Sequence, residues 1–164
     1  MIFVTVGNDY HDFSRLIRTI DEIAPRISSE IIIQRGYSKY LPINIKYFDF
    51  VPMDTATEYI KMSELVISHA GAGTIILCKE NGVPIIILPR RKKYDEHIND
   101  HQMEIAQMLE ERKESNIHVI HEEERLEEKI NEVLKDKRKR TPIKNVGKAN
   151  LIKTIREFVE KGGV

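Results

Sequence analysis

The sequence predicts a doubly wound, Rossmann-like α/β fold with a mostly parallel sheet of about six strands. Short apolar runs rich in β-branched residues alternate along the chain with segments of helical periodicity, an order typical of this fold class. The apolar runs are continuous, which indicates strands that are buried on both faces. The 164 residues are predicted to form one domain, residues 1–164, with a helical C-terminal segment from about residue 122.

The predicted strands, in chain order, are residues 2–6, 31–34, 45–51, 65–68, 85–88 and 117–120. Between them, apolar residues recur at helical spacing, as at Phe13, Leu16 and Ile20, where Asp12 stands in position to cap the helix. This periodicity predicts helices over residues 13–23, 55–62, 74–81, 99–109, 126–134 and 148–161. In such folds ligands bind at the carboxyl ends of the strands, so the loops that follow the strands are the candidate sites.

Composition and charge exclude several classes of protein. Lys+Arg and Asp+Glu are both 26, so the formal net charge is zero and a broadly basic nucleic-acid binder is not expected. The single cysteine, Cys78, excludes an internal disulfide and a cysteine-based zinc site. The longest apolar run, residues 83–88, is too short to span a bilayer, and the first residues lack the basic start of a signal peptide. We therefore expect a cytoplasmic protein.

The most informative segment is the small-residue loop between the fourth strand and the next helix: Ser68, His69, Ala70, Gly71, Ala72, Gly73 and Thr74. Small side chains let a ligand approach the backbone, and the helix beyond them offers unpaired N–H groups and the positive end of its dipole. This combination favours phosphate binding. The alternative is a tight turn that needs small residues for packing. The loop has neither the lysine of a Walker A motif nor the glycine spacing of the dinucleotide fingerprint.

A second glycine turn, Gly7-Asn8, follows the first strand. Two small-residue loops at one edge of a sheet can face each other across a crevice that suits a diphosphate. Taken alone, Gly7 is equally a simple turn glycine.

The polar stretch of residues 95–102 is the second informative segment. If it is helical, His97 and His101 share a face and form, with Asp100, a candidate metal site, although no further ligand stands out. The alternatives are a polar helix start and a hydrogen-bonding edge in which Asp100 and Gln102 bind sugar hydroxyls.

Five stretches together resemble a known family: residues 3–7, 68–74, 82–86, 89–91 and 96–102. They resemble the C-terminal, donor-binding domain of the family 28 glycosyltransferases, which is the C-terminal half of a GT-B enzyme. The resemblance covers about residues 1–110. It is closest to split members of the type found in N-glycan N-acetylglucosaminyltransferases and bacterial exopolysaccharide glucuronosyltransferases.

The resemblance implies the catalytic, donor-binding subunit of a two-component enzyme. Such a subunit binds a UDP-sugar, with N-acetylglucosamine or glucuronic acid as the sugar, while a membrane-anchored partner holds a lipid-linked saccharide acceptor at the cytoplasmic face. The loop from Gly71 to Thr74 would cradle the diphosphate, Gly7-Asn8 would close over it, and Phe50 would face the uracil. The implied donor-binding residues are Gly7, Asn8, Phe50, His69, Ala70, Gly71, Ala72, Gly73, Thr74, Glu80, Arg90, Glu96, His97, Asp100 and Gln102.

One position departs from the family pattern. Many members place a ribose-binding glutamate three residues after the threonine of the loop, where this chain has Leu77. Glu80 lies one turn further along the predicted helix, either as a replacement for that ribose contact or as a solvated surface residue.

The resemblance also implies the outline of a mechanism. A helix dipole and backbone N–H groups stabilise the charge on the departing diphosphate, so no metal or other cofactor is expected. The general base usually belongs to the partner, and none is assigned in this chain. His69 is a candidate for assisting the leaving group or, alternatively, a structural histidine.

The basic residues between 135 and 148 predict either a solvated linker or a contact with anionic lipid. The last predicted helix packs on this sheet or on a partner, and an exposed docking face would allow the isolated chain to self-associate. Two other functions stay open. One is a metal-dependent hydrolase that uses His97, Asp100 and His101, and the other is a non-catalytic nucleotide-binding scaffold, which Leu77 favours.

Overall fold

The computed structural model describes residues 1–136 together with residues 153, 154 and 157. Of the predicted helix over residues 148–161, residues 153, 154 and 157 are described, and all three are helical. The other residues of that helix and most of the basic segment 135–148 lie outside the described residues. Within the described part, all six predicted strands form a single parallel sheet in the order β3-β2-β1-β4-β5-β6, which confirms the doubly wound α/β prediction.

The strands are β1 (Ile2–Thr5), β2 (Ile31–Gln34), β3 (Lys46–Phe48), β4 (Leu65–Ser68), β5 (Ile85–Ile87) and β6 (Ile117–Val119). The helices are α1 (Ser14–Ile23), α2 (Met53–Met62), α3 (Ala72–Asn81), α4 (His101–Arg112) and α5 (Leu126–Lys135). In the part of the chain that the structure describes, three short 3₁₀ turns lie in the connections: Ala24–Arg26, Lys92–Tyr94 and Glu123–Arg125. No helix among the described residues is both long enough and apolar enough to cross a membrane.

The strand order reverses between β1 and β4. From β1 the chain moves outward to β2 and β3, and it then returns to place β4 against the other side of β1. Thr5 pairs with Ser68 in the parallel register, so β1 and β4 end side by side. A reversal of this kind opens a crevice at the carboxyl ends of the two strands, where open α/β sheets bind their ligands.

Two apolar layers cover the two faces of the sheet. Ile2 and Val4 of β1 pack with α1 and α5, whereas Phe3, on the opposite face, packs with residues of α2, α3 and α4. Each of these three side chains is fully buried. Alternation of this kind explains the continuous apolar runs, because every position on a central strand faces one layer or the other.

Several boundaries differ from the prediction. Strand β3 is shorter than residues 45–51, and its side chains are half-buried or exposed because it lies at the edge of the sheet. Helix α3 starts two residues early, at Ala72, which moves the small-residue loop onto the helix start itself. Helix α4 starts late, at His101, so residues 95–100 are not helical.

Candidate functional site

An open cleft of about 260 Å³ lies at the carboxyl ends of β1 and β4, at the point where the strand order reverses. It is lined by Phe3, Thr5, Gly7, Asn8, Gln34, Val51, Met53, Ala56, Ile60, His69, Gly71, Gly73, Thr74 and Leu77. The two glycine turns therefore face each other across one cavity, as the sequence predicts.

The floor of the cleft includes the start of α3. Gly71 is the residue that precedes the helix, and no side chain caps the first turn. The first turn also carries no acidic side chain, so its N–H groups and the helix dipole present a net positive end to the cleft. A Cβ atom added to Gly73 would meet no atom within 4 Å, so the cleft is open at this position. These features provide room for an anion and groups that bind it.

The imidazole of His69 is lodged between the two glycine turns. A Cβ added to Gly7 would lie 2.4 Å from His69 Nε2, and one added to Gly71 would lie 2.2 Å from His69 Cε1. Gly7 also has a φ of 71°, in the left-handed region that favours glycine. Both glycines are thus required by the position of the histidine ring, a requirement that the sequence alone does not reveal.

His69 is neutral in the folded protein. Burial, together with the nearby guanidinium of Arg90, lowers the pKa of His69 to about 3. Gln102, at 3.0 Å from His69 Nδ1, is its hydrogen-bond partner. An imidazole with so low a pKa acts in the site as a hydrogen-bonding group at neutral pH, and its charge does not contribute.

The structure corrects the predicted donor contacts of Arg90 and Glu96. Arg90 is 0% exposed, and its guanidinium donates to the backbone carbonyls of Val6, His11 and Glu96 at 2.8–3.0 Å. Glu96 is 3% exposed and accepts a two-pronged ion pair from Arg15. Neither side chain has surface with which to touch a ligand. Arg90 instead joins the loop after β5 to the loop after β1, and Glu96 joins the loop after β5 to α1.

Three other predicted residues lie outside the cleft lining. Phe50 is 43% exposed and stacks edge-on with Tyr37, next to the cleft residues Val51 and Met53. Asp100 accepts the backbone N–H of Lys92 at 2.9 Å in a separate surface depression. Glu80 is exposed on α3, and Leu77 lines the cleft instead.

Gln102 and Ala70 lie beneath the cleft, and both are buried. The oxygen of the Gln102 amide accepts the backbone N–H groups of Ala70 and Arg90. The nitrogen of the amide lies 3.0 Å from His69 Nδ1. The binding of sugar hydroxyls by Gln102 stays a prediction. Ala72 is the first residue of α3.

The metal-site alternative loses its geometric basis. His97 precedes α4, so it does not share a helical face with His101. Asp100 bonds to Lys92, His97 contacts Asn99, and His101 contacts Glu104. Among residues 1–136, 153, 154 and 157, the group of three or more side chains whose possible metal-ligand atoms lie within 4.8 Å of one another is Glu122, Glu123 and Glu124. None of these three residues lines the cleft.

Sequence reasoning missed a polar cluster beside the cleft. Asp9 lies 2.5 Å from His11 Nδ1 and 3.6 Å from His97 Nε2, and hydrogen bonds to His11 help to lower the pKa of Asp9 against the effect of burial. It also missed Thr5 and Gln34, which line the cleft. Their position in the sequence could have identified them, because each lies at or next to the last residue of a predicted strand, where ligands bind in this fold class.

The two helix-start glycines give a matched test of this packing. Gly71→Ala should destabilise the fold by about 1–3 kcal/mol, because the new methyl group displaces the His69 ring. Gly73→Ala should instead stabilise the fold by about 0.5–1 kcal/mol, because alanine is the better helix former and its methyl group meets open space. Urea unfolding of both variants measures the difference. Equal effects of the two substitutions would contradict the position of His69.

Arg90 offers a second test. Arg90→Met should lower the free energy of unfolding by about 3 kcal/mol or more, because it leaves buried carbonyl groups without donors. Arg125→Met is the control, since Arg125 is exposed and contacts Glu128 on the surface, and its effect should stay below about 1 kcal/mol. A loss no larger than that of the control would show that Arg90 does not join the loops.

Comparisons with known proteins agree with the fold. The UDP-N-acetylglucosamine transferase subunit ALG13 of Homo sapiens is 30% identical over 117 residues, which cover 66% of this chain and 10% of the relative. The chain thus spans about a tenth of the length of this curated relative. A solution NMR structure of ALG13 superposes with a TM-score of 0.60 at 22% identity and covers 94% of this chain and 96% of that chain.

The spinosyn forosaminyltransferase SpnP has a TM-score of 0.62 at 20% identity, covering 96% of this chain and 39% of that chain. These two structures establish that the fold is shared. The model of the glycosyltransferase family 28 C-terminal domain matches residues 1–160, nearly the whole sequence. This chain therefore belongs to the family of glycosyltransferase family 28 C-terminal domains.

Proposed function

We propose that this chain is the donor-binding subunit of a two-component glycosyltransferase that uses a UDP-sugar. One observation carries the proposal: in a chain of this family, the Gly7 and Gly71 turns face each other across a cleft that contains an uncapped helix start. The name of the human relative, a UDP-N-acetylglucosamine transferase subunit, supports UDP-N-acetylglucosamine as the donor. Glucuronic acid is the other candidate sugar.

The size and openness of the cleft support a shared site. Its volume of about 260 Å³ lies below the range of about 300–1,000 Å³ that is typical of pockets enclosing a small ligand. A UDP-sugar would lie against this wall and leave its sugar accessible from outside. We propose that a membrane-anchored partner closes the cleft, holds a lipid-linked saccharide acceptor and keeps this subunit at the cytoplasmic membrane face.

The residues of the cleft suggest how a donor would lie. We place the diphosphate at the start of α3, where backbone N–H groups and the helix dipole favour negative charge. His69 lies beside it, between the two glycine turns. The uracil would lie toward Val51 and Met53, next to the Phe50–Tyr37 pair. This arrangement leaves the anomeric carbon at the open side of the cleft.

The chemistry follows from that placement. As the acceptor hydroxyl attacks the anomeric carbon, the bond to the diphosphate breaks and negative charge builds on UDP. Fixed N–H donors stabilise this charge because they already point at it before the reaction. We propose that this stabilisation needs no metal ion. The acceptor proton would go to a general base of the partner.

One observation favours a second candidate, a non-catalytic nucleotide-binding subunit. Leu77 lines the cleft at the position where many family members carry a glutamate that binds ribose. Such a subunit would bind UDP but transfer no sugar when combined with the acceptor-binding partner. A transfer assay with that partner separates the two candidates.

Gly73→Asp tests the proposed phosphate site directly. The carboxylate would project into open space at the start of α3, where it would repel a diphosphate. We expect UDP affinity to fall at least tenfold, since like charges at a binding site oppose each other by more than about 1.4 kcal/mol. The fold should stay intact or gain stability, because an acidic residue near a helix start is favourable. Titration calorimetry measures the affinity, and the urea midpoint measures the stability.

Gly73→Asn is the matched control, because it has the same shape without the charge. It should bind UDP more tightly than Gly73→Asp does. The same calorimetry with ADP, GDP and EDTA tests selectivity for uridine and independence from metal. Unchanged UDP affinity in Gly73→Asp would refute the phosphate site, and with it the proposed function.

A further inference from the structure

The amide of Gln102 has a fixed orientation. Gln102 lies in the first turn of α4 and is 6% exposed. Its Oε1 atom lies 3.2 Å from the backbone nitrogen of Ala70 and 3.1 Å from that of Arg90. Both neighbours are donors, so the amide must turn its oxygen toward them. The opposite orientation would set the NH₂ group against two N–H groups in a buried place.

This orientation determines the tautomer of His69. With the amide oxygen engaged, the NH₂ group of Gln102 faces His69 Nδ1 at 3.0 Å. An NH₂ group can only donate, so Nδ1 must accept. A neutral imidazole carries one proton, which must then reside on Nε2.

The Nε2 atom of His69 faces the glycine turns. It is the atom nearest to a Cβ built on Gly7, at 2.4 Å, and lies 2.6 Å from one built on Gly71. Both turns and His69 itself line the cleft. Burial lowers the pKa of His69, and the nearby charges of Arg90 and His97 act in the same direction. The hydrogen bond from Gln102 and the charge of Asp9 oppose them but are outweighed, so the ring stays neutral. His69 therefore presents an N–H donor between the two turns.

We propose that Gln102 is a positioning residue that holds His69 as the Nε2–H tautomer, so that His69 donates a hydrogen bond to the diphosphate of the donor. The functional part rests on the proposed function, while the tautomer itself does not. This role differs from the sugar contact predicted for Gln102. It also explains why an amide, which combines an acceptor and a donor, occupies a buried position beneath the cleft.

Gln102→Glu replaces the NH₂ donor that faces His69 with a carboxylate oxygen. The carboxylate still accepts the two backbone N–H groups, but it cannot donate to His69 once it has lost its proton. At low pH the Glu–His pair holds an extra proton, and Nε2 keeps its own. As the pH rises, the pair loses that proton, Nδ1–H bonds to the carboxylate, and Nε2 turns a lone pair toward the diphosphate.

Two measurements test the proposal. Nitrogen-15 NMR of the histidine ring should show wild-type His69 protonated on Nε2 and unchanged between pH 5.5 and 9. In Gln102→Glu, the proton should move to Nδ1 as the pH rises. UDP affinity relative to that of the wild type should then fall roughly tenfold or more across this range, since a charge-assisted hydrogen bond is lost. Taking the ratio cancels the ionisation of UDP.

Gln107→Glu is the matched control, because the same change falls on an exposed position of α4. It should alter neither the His69 resonances nor UDP affinity. A wild-type His69 protonated on Nδ1 would overturn the proposal even if the variant failed to fold. A pH-independent affinity ratio in Gln102→Glu, or a loss confined to the UDP-sugar with UDP unaffected, would also overturn it. A wild type that shows the expected tautomer without binding UDP would refute the proposed function and, with it, the diphosphate contact.

Discussion

Two neighbouring parallel strands that send their chains to opposite faces of the sheet are the constraint on which the site depends. After β1 the chain enters α1 on one face, and after β4 it enters α3 on the other. Since β1 and β4 pair in register to their last residues, the two departing turns start side by side and then separate. The space between them is the cleft, so it is formed by the chain topology before any side chain contributes.

Within that space, the imidazole of His69 restricts one position in each turn to glycine. His69 occupies the volume that a side chain at Gly7 or Gly71 would need. Gly73 is under no such restriction, and its openness is therefore available to a ligand. Glycines that look equivalent in the sequence thus serve two purposes. Two make room for a protein group, and the third leaves room for a bound molecule.

The buried charge of Arg90 holds the loops around the site in fixed positions. The guanidinium of Arg90 has no exposed surface, and it is satisfied mainly by backbone carbonyls from the loops after β1 and β5. Burial lowers the pKa of Arg90, against nearby carboxylates that raise it. A buried charge is tolerated only when fixed dipoles surround it, so the loops that supply those carbonyls must hold their positions. The loop after β1, which Arg90 holds in this way, contributes Gly7 and Asn8 to the cleft lining.

The sequence predicts the fold better than it predicts the site, for physical reasons. Continuous β-branched runs and apolar spacing report the solvent exposure of whole faces, and all six strands follow from them. Individual contacts do not follow from such patterns. Arg90 stands among four consecutive basic residues, and nothing local distinguishes the fully buried one from the exposed Lys92 and Lys93.

The sequence also did not predict where α4 begins, because the polar residues 95–100 are compatible with either a helix or a loop. Their true course depends on distant partners. Glu96 is drawn inward by Arg15, which comes from a helix that lies 81 residues earlier in the chain. The metal-site hypothesis relied on a helix over this stretch. The position of Gln102, in contrast, depends on the helix that does form.

In the two-component enzyme that we propose, the open cleft would explain why separate subunits hold the donor and the acceptor. Donors of an N–H group stabilise developing charge most strongly where water is excluded, because water screens the interaction. The proposed donor-binding subunit would supply oriented N–H donors through the start of α3 and through His69, in a cleft that is open to solvent on one side. A partner that covers that side would both exclude water and bring the acceptor to the anomeric carbon. Charge stabilisation and acceptor delivery would then become effective together, and only in the assembled enzyme, so that a free donor-binding subunit would not hydrolyse its UDP-sugar.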